Sequence, residues 1–516
     1  MASTTNLRIR RSAAQLHALA GVEREIRSQD SSSRRKYLRD FTQAYRSYQS
    51  VLSPQQITTQ LGTADTILVG DYHALPASQH FAASLLEDRA QPGDRPVVLG
   101  VETIFSRDQH IVDEWWRREI DEEEFRQRIR FDLDWGYDWA PFYQLLATAR
   151  ENAEAIYGLD CMPREDLRKI GARDRHAAHK IAEIRQRHPN AVILVLFGES
   201  HLAPGHLPRQ LSEQLAGDRV LTVLQNVDAL YWRAAGEACE RVEAVQVRDD
   251  VVCVLNSTPL EKYESYRLHL SRWGRTEAEG PDLGPTIYNL IDSLLRFLDI
   301  NRYSSHNGNQ PKFLVDLLPE VYGPSSGARL GRLLTRTKTR ENALAGMLRN
   351  AEERGSVYLP QVNAFYVREF HMMYAAEEAA RFLHHACRGL PLRSGAEHTR
   401  AVADRFYTRT VEHALAYFGS RVLYPARPAT PGETGHTLPR TAPDCRRKKF
   451  DASAQLLGYM LGSALYEAYL SGSVSTATLR RLFLTRLEEP GKAKQTYFEL
   501  AAKLNAGRRK ARAAGA

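Results

Sequence analysis

Two stretches decide the fold: ADTILVGDYHALPASQ at residues 64–79 and AVILVLFGESHLAPGH at residues 191–206. Each is a short β-prone apolar run that ends in glycine, an acid, one further residue and histidine, with a proline three residues beyond: Gly70, Asp71, Tyr72, His73 and Pro76 in the first, Gly198, Glu199, Ser200, His201 and Pro204 in the second. A fully apolar strand of this length is the signature of a strand buried on both faces, as in a parallel sheet. A glycine at its carboxyl end lets the chain turn sharply without a Cβ clash. Gly-x-x-His alone carries little information, since 32 glycines and 17 histidines in 516 residues give about one match by chance. A third instance, Gly395 to His398, follows PLRS with no strand before it and is the expected chance match. Context therefore separates the first two from the third.

Between and around the two stretches, strand and helix patterns alternate: PVVLGVET at 96–103, a helical run through WAPFYQLLATA at 139–149, AIYGLD at 155–160, the helical REDLRKIGARDRHAAHKIAEIRQRH, and RVLTVLQNV at 219–227. VVCVLN at 251–256 reads as an edge strand. Alternation of this kind predicts an α/β domain, a mostly parallel sheet with helices on both faces. After about residue 275 the strand signal gives way to long helical runs, TIYNLIDSLLRFLDI, LPQVNAFYVREFHMMYAAEEAARFLHHACRG and FDASAQLLGYMLGSALYEAYLSG. The expected organisation is an N-terminal helical segment over 1–60, an α/β domain over 61–275, and a separate all-helical domain over 276–516 with a proline-rich loop at about 424–449.

Composition limits the function classes. At 43% hydrophobic and 26% charged, the chain is ordinary globular material, and a net charge of +8 spread over its length gives no block that calls for nucleic acid. Five dispersed cysteines with no CxxC pair predict neither a disulfide framework nor a zinc ribbon. The first thirty residues hold arginines but no continuous apolar run, and no later stretch reaches the length of a membrane span. The expectation is a cytoplasmic protein without membrane insertion, with a homodimer left open.

Open α/β sheets bind ligands beyond the carboxyl ends of their strands. The paired turns, a third strand ending in Glu102 and a fourth ending in Asp160, with Arg164 close behind, would converge there. Charged groups at the ends of several buried strands are costly unless paired, solvated or ligated. That convergence points to a functional pocket. No GxSxG elbow is present, because Ser200 lies in Gly-Glu-Ser-His.

In order and spacing, GDYHALPASQ, VVLGVET, WAPFYQLLATA, IYGLDCMPRED and FGESHLAPGHLPRQL resemble the ChaN-like haem-binding uptake family of the Tiki superfamily, which is related to the erythromycin esterases; the resemblance runs over about residues 65–227. It implies an α/β domain whose two Gly-x-x-His histidines and a strand-end glutamate line one pocket, here His73, His201 and Glu102, with Gln79, Asp160 and Arg164 at flanking positions. Asp71 stands where many members have glutamate.

Two chemistries fit these residues. In the first, the pocket holds haem non-covalently, since no CxxCH is present, with His73, His201 or Tyr72 as the axial ligand. In the second, His73, Glu102 and His201 hold a divalent iron, manganese or zinc ion that activates water against an ester or amide, as in a peptidase or esterase, with Asp71 or Glu199 as general base or as the group that orients the imidazoles; in a metal-free version one histidine is the base and Arg164 stabilises the oxyanion. A third reading leaves the pocket vestigial and makes the protein a helical interaction scaffold.

Overall fold

The computed structural model describes residues 4–30, 36–91, 93–162, 170–237, 242–272, 281–301, 318–336, 346, 349, 351–387, 401–428, 438 and 450–515. The chain divides into two compact units, Glu25–His269 and Met1–Arg24 with Leu270–Ala516.

The first unit is built on an eight-stranded sheet. Its strands are β1 (Ser50–Leu52), β2 (Thr66–Asp71), β3 (Val97–Phe105), β4 (Ala155–Asp160), β5 (Val192–Gly198), β6 (Val220–Gln225), β7 (Ala244–Arg248) and β8 (Val251–Val254), in the spatial order β1-β7-β8-β6-β2-β5-β3-β4. From β8 to β4 all pairings are parallel, whereas β7 runs antiparallel to both β8 and β1. Every residue of β2, β3 and β5 is buried, as continuous apolar runs demand. Alternate side chains feed two cores. Ile67, Val69, Leu99, Val101, Leu194 and Leu196 meet helices Pro76–Arg89 and Trp139–Asn152 on one face. Leu68, Val98, Ile193, Val195 and Phe197 meet helix Ile170–Arg187 on the other.

VVCVLN is not an edge strand. Residues 244–248 form a hairpin with it, so β8 lies inside and the edges are β1 and β4. Residues 36–52 also belong to this unit: helix Lys36–Ala44 buries Phe41, the Tyr45 hydroxyl donates to the Leu202 carbonyl at 2.6 Å, and β1 pairs with β7.

The β2–β5 register places the two Gly-x-x-His turns side by side, with Gly70 opposite Phe197 and Asp71 opposite Gly198. β3 then flanks β5 and β4 flanks β3. The chain order reverses between β2 and β5, the topological switch at which such sheets open a crevice.

The second unit is largely helical, with helices Gly284–Phe297, Met372–Ala386, Val402–Leu423, Phe450–Leu470, Thr476–Leu484 and Lys492–Gly515. It is not all helix. β9 (Glu320–Tyr322), β10 (Ser356–Leu359) and β11 (Ala364–Val367) form a small sheet in the order β10-β11-β9. The run LPQVNAFYV, expected as helix, is mostly a hairpin: Pro360 opens the turn, Asn363 takes a φ of 47°, and the flanking Val, Tyr and Phe residues suit a half-buried strand. Most of the proline-rich loop, 429–437 and 439–449, lies outside the described residues, as does the chance Gly395–His398 match. No helix among the described residues is long and apolar enough to cross a membrane.

Candidate functional site

Four strand ends, those of β2, β5, β3 and β4, carry the site. Glu102 on β3 is its centre and is buried. One carboxylate oxygen accepts from the Gly198 N–H at 2.5 Å; the other accepts from the Arg173 guanidinium at 2.5 Å. His201 Nε2 stands 3.6 Å from the Arg173-bound oxygen and His73 Nε2 stands 3.9 Å from the other. Burial by itself would raise the Glu102 carboxyl. His201, Arg173, His73 and the Gly198 N–H together outweigh it and hold the group well below the usual carboxylate range. A side chain at Gly198 would meet Glu102 Oε2 at 2.9 Å and the His73 ring at 3.2 Å, so glycine is needed there for the close approach of both.

Each imidazole is oriented from behind by an aspartate. His73 Nδ1 lies 2.8 Å from Asp71 Oδ2, and the other Asp71 oxygen accepts from the Gln79 amide. His201 Nδ1 lies 2.5 Å from Asp174 Oδ1, while Asp174 Oδ2 takes His206 Nδ1 at 2.9 Å. The two acids shift in opposite directions. Burial pushes Asp71 up despite His73, whereas hydrogen bonds from His201 and His206 overcome burial and hold Asp174 down. Asp174 in turn raises His206.

The histidines differ in access. The His73 side chain is 22% exposed and that of His201 is 4%, which leaves His73 as the imidazole a ligand from solvent can meet. The His73 ring packs against Trp135 at 4.4 Å and Tyr137 at 5.2 Å, and Tyr137 stacks on His269 at 4.2 Å. These rings form an aromatic wall beside the imidazole.

Asp160 is tied in through Arg173, which donates to its two oxygens at 2.8 and 2.9 Å. Glu199 turns to Lys262 instead, whose ammonium reaches its oxygens at 2.9 and 3.1 Å and lies 4.6 Å from the Tyr72 ring centroid. Burial raises Glu199 and Lys262 draws it back. Arg164 lies outside the described residues. Among the described residues, no group of three or more His, Cys, Asp or Glu is placed to hold a metal ion.

Sequence reading missed Arg173, Asp174, His206, Lys262 and the aromatic wall. A signal existed for two of them. The buried positions of helix Ile170–Arg187 are Arg173, Asp174, Ala177, Ala178, Ile181 and Ile184, so a charged pair occupies core-facing slots of an otherwise apolar stripe.

Residues 57–174 match the model of the family described as haem-binding uptake, Tiki superfamily, ChaN. This stretch is ChaN-like. The ChaN-like stretch contains His73, Glu102, Asp160, Arg173 and Asp174, and ends before His201. A solved structure described as cofacial haem binding to ChaN of Campylobacter jejuni is similar at 14% identity with a TM-score of 0.27, covering 34% of this chain and 86% of that one. No curated protein matches the chain.

Proposed function

We propose that the α/β unit binds haem non-covalently at the carboxyl ends of β2, β5 and β3, with His73 as the axial ligand. The observation that carries this reading is the partly exposed His73 imidazole, held through Nδ1 by buried Asp71 and walled by Trp135 and Tyr137. The ChaN-like stretch supports it, since that family is named for haem binding.

The donor set fits the group. With Nδ1 held by Asp71, which increases the basicity of the ring, the remaining ligand atom of His73 is Nε2, on the edge that stands 3.9 Å from Glu102 Oε2. Flat aromatic rings beside it offer the apolar surface on which a macrocycle packs. His201, nearly sealed from solvent and paired with Asp174, holds the ionised Glu102 in place rather than meeting the ligand. When bound, haem supplies an iron centre whose properties follow from its axial ligand and pocket polarity. The metal-hydrolase reading is weaker here, because both Glu102 oxygens are already taken by the Gly198 N–H and Arg173.

Titration of the full chain with haemin tests the proposal. A Soret band is expected for the parent protein. His73→Ala is expected to shift that band and weaken binding at least about 10-fold, or about 1.4 kcal/mol. Unchanged spectra and affinity in His73→Ala would rule out His73 as the ligand. A colourless protein that ignores haemin but hydrolyses esters in an EDTA-sensitive way would replace the proposal with the metal reading.

A further inference from the structure

Ser106 is the first residue after β3, in the tight turn Ser106–Asp108 that leads into helix Gln109–Trp116. Its hydroxyl lies 2.8 Å from Nε2 of His176, a residue of helix Ile170–Arg187. Both side chains are half-buried, so the pair is sheltered yet reachable. Their approach is fixed by the sheet: Phe105 pairs with Asp160 in register, Asp160 is held by Arg173, and His176 follows Arg173 by one helical turn. A serine at a strand-to-helix turn over the carboxyl end of a parallel sheet is where α/β hydrolases place their nucleophile, although here no GxSxG surrounds it.

We propose that Ser106 is a nucleophile and His176 its general base, forming a reactive centre, separate from the haem site, that takes activated acyl esters. The Ser106 oxygen bonds to the acyl carbon while its proton passes to His176 Nε2. The tetrahedral intermediate collapses, the C–O bond to the leaving alcohol breaks, and that alcohol takes the proton from His176. Water, deprotonated by His176, then attacks the acyl-serine ester, the bond between the Ser106 oxygen and the acyl carbon breaks, the Ser106 oxygen takes the proton back from His176, and the carboxylic acid leaves. Burial and the nearby Lys180 hold His176 below its usual range, which keeps Nε2 able to accept a proton at neutral pH. The inference uses none of the residues assigned to haem and stands whether or not haem binds.

The test is labelling of the intact full-length chain with a fluorophosphonate probe, in which a P–O bond forms to the Ser106 oxygen and fluoride leaves. One adduct per chain is expected, mapped by peptide mass to Ser106 and absent in Ser106→Ala. His176→Gln, which keeps a hydrogen-bonding group but cannot take the proton, is expected to slow labelling about 100-fold or more. Circular dichroism checks that the variants fold, and mapping of the parent protein decides the site even if one does not. No labelling of the folded parent, an adduct on another residue, or an unchanged rate in His176→Gln would overturn the proposal.

Discussion

The two Gly-x-x-His turns share a residue pattern and lie on neighbouring strands, yet their surroundings differ. The first presents its histidine to an aromatic wall with 22% of the side chain open, backed by an aspartate two residues earlier in the same turn. The second seals its histidine beneath the surface, and the backing aspartate comes from a distant helix that shares it with His206. Between them Glu102 faces both imidazoles. The same short motif thus gives one residue able to meet a ligand and one that holds the central acid, and the difference arises from what packs against each turn.

The largest expected effect tests the acid on which both turns converge. Arg173→Met leaves Glu102 and Asp160 buried without their shared cation and is expected to destabilise the protein by about 3–5 kcal/mol in urea unfolding. A loss under about 1 kcal/mol would mean that Glu102 is not ionised between the two imidazoles, and the comparison would fail at its centre.

Next come the two backing aspartates. Asp174→Asn weakens two hydrogen bonds to a charged acceptor and is expected to lower stability at pH 7 by about 2 kcal/mol. Asp71→Asn is expected to act mainly on haemin affinity. Their pH dependences should have opposite signs. Asp174 is held down in the folded protein, so its contribution is present above the unfolded aspartate pKa and is lost as pH falls through the folded value. Asp71 is pushed up, so its contribution is present below the unfolded pKa and is lost as pH rises through the raised one. Urea titrations across the carboxylate range should show a flattened acid limb for Asp174→Asn and a relative gain toward neutral pH for Asp71→Asn. Matching pH profiles would make the two turns electrostatically equivalent.

The smallest effect separates the two glycines. Gly198→Ala forces its Cβ against Glu102 and the His73 ring, while Gly70→Ala meets a movable Leu202 methyl at 3.3 Å. Differential scanning calorimetry should register about 1–2 kcal/mol for the first and a few tenths for the second. Equal losses would remove the close approach at Gly198 as a distinguishing feature.

Much of this arrangement was legible in residue order. Apolar runs ending in glycine and an acid marked β2 and β5, and Glu102 and Asp160 followed from two further runs of the same kind. What stayed hidden was side-chain traffic across the sheet. Arg173 and Asp174 sit in a segment whose charge density reads as solvated helix, and only the apolar stripe they interrupt gives them away. The aromatic wall draws on residues 135 and 137 together with 269, which no local pattern joins. The hairpin at 356–367 was hidden for a different reason: its strands of four residues are too short for a period of two to stand out beside the helical run that follows.

The position of β5 has a consequence for synthesis. It slots between β2 and β3, both of which leave the ribosome before it, so those two strands wait with unfilled hydrogen-bonding edges until residue 198 has emerged. Closure of the sheet is non-local and correspondingly slow. A nascent or truncated chain that stops at residue 174 carries His73, Glu102, Asp160, Arg173 and Asp174 but exposes strand edges prone to pairing with other chains. Insertion of β5 sets Gly198 and His201 beside Glu102 and, in the same step, covers the facing edges of β2 and β3.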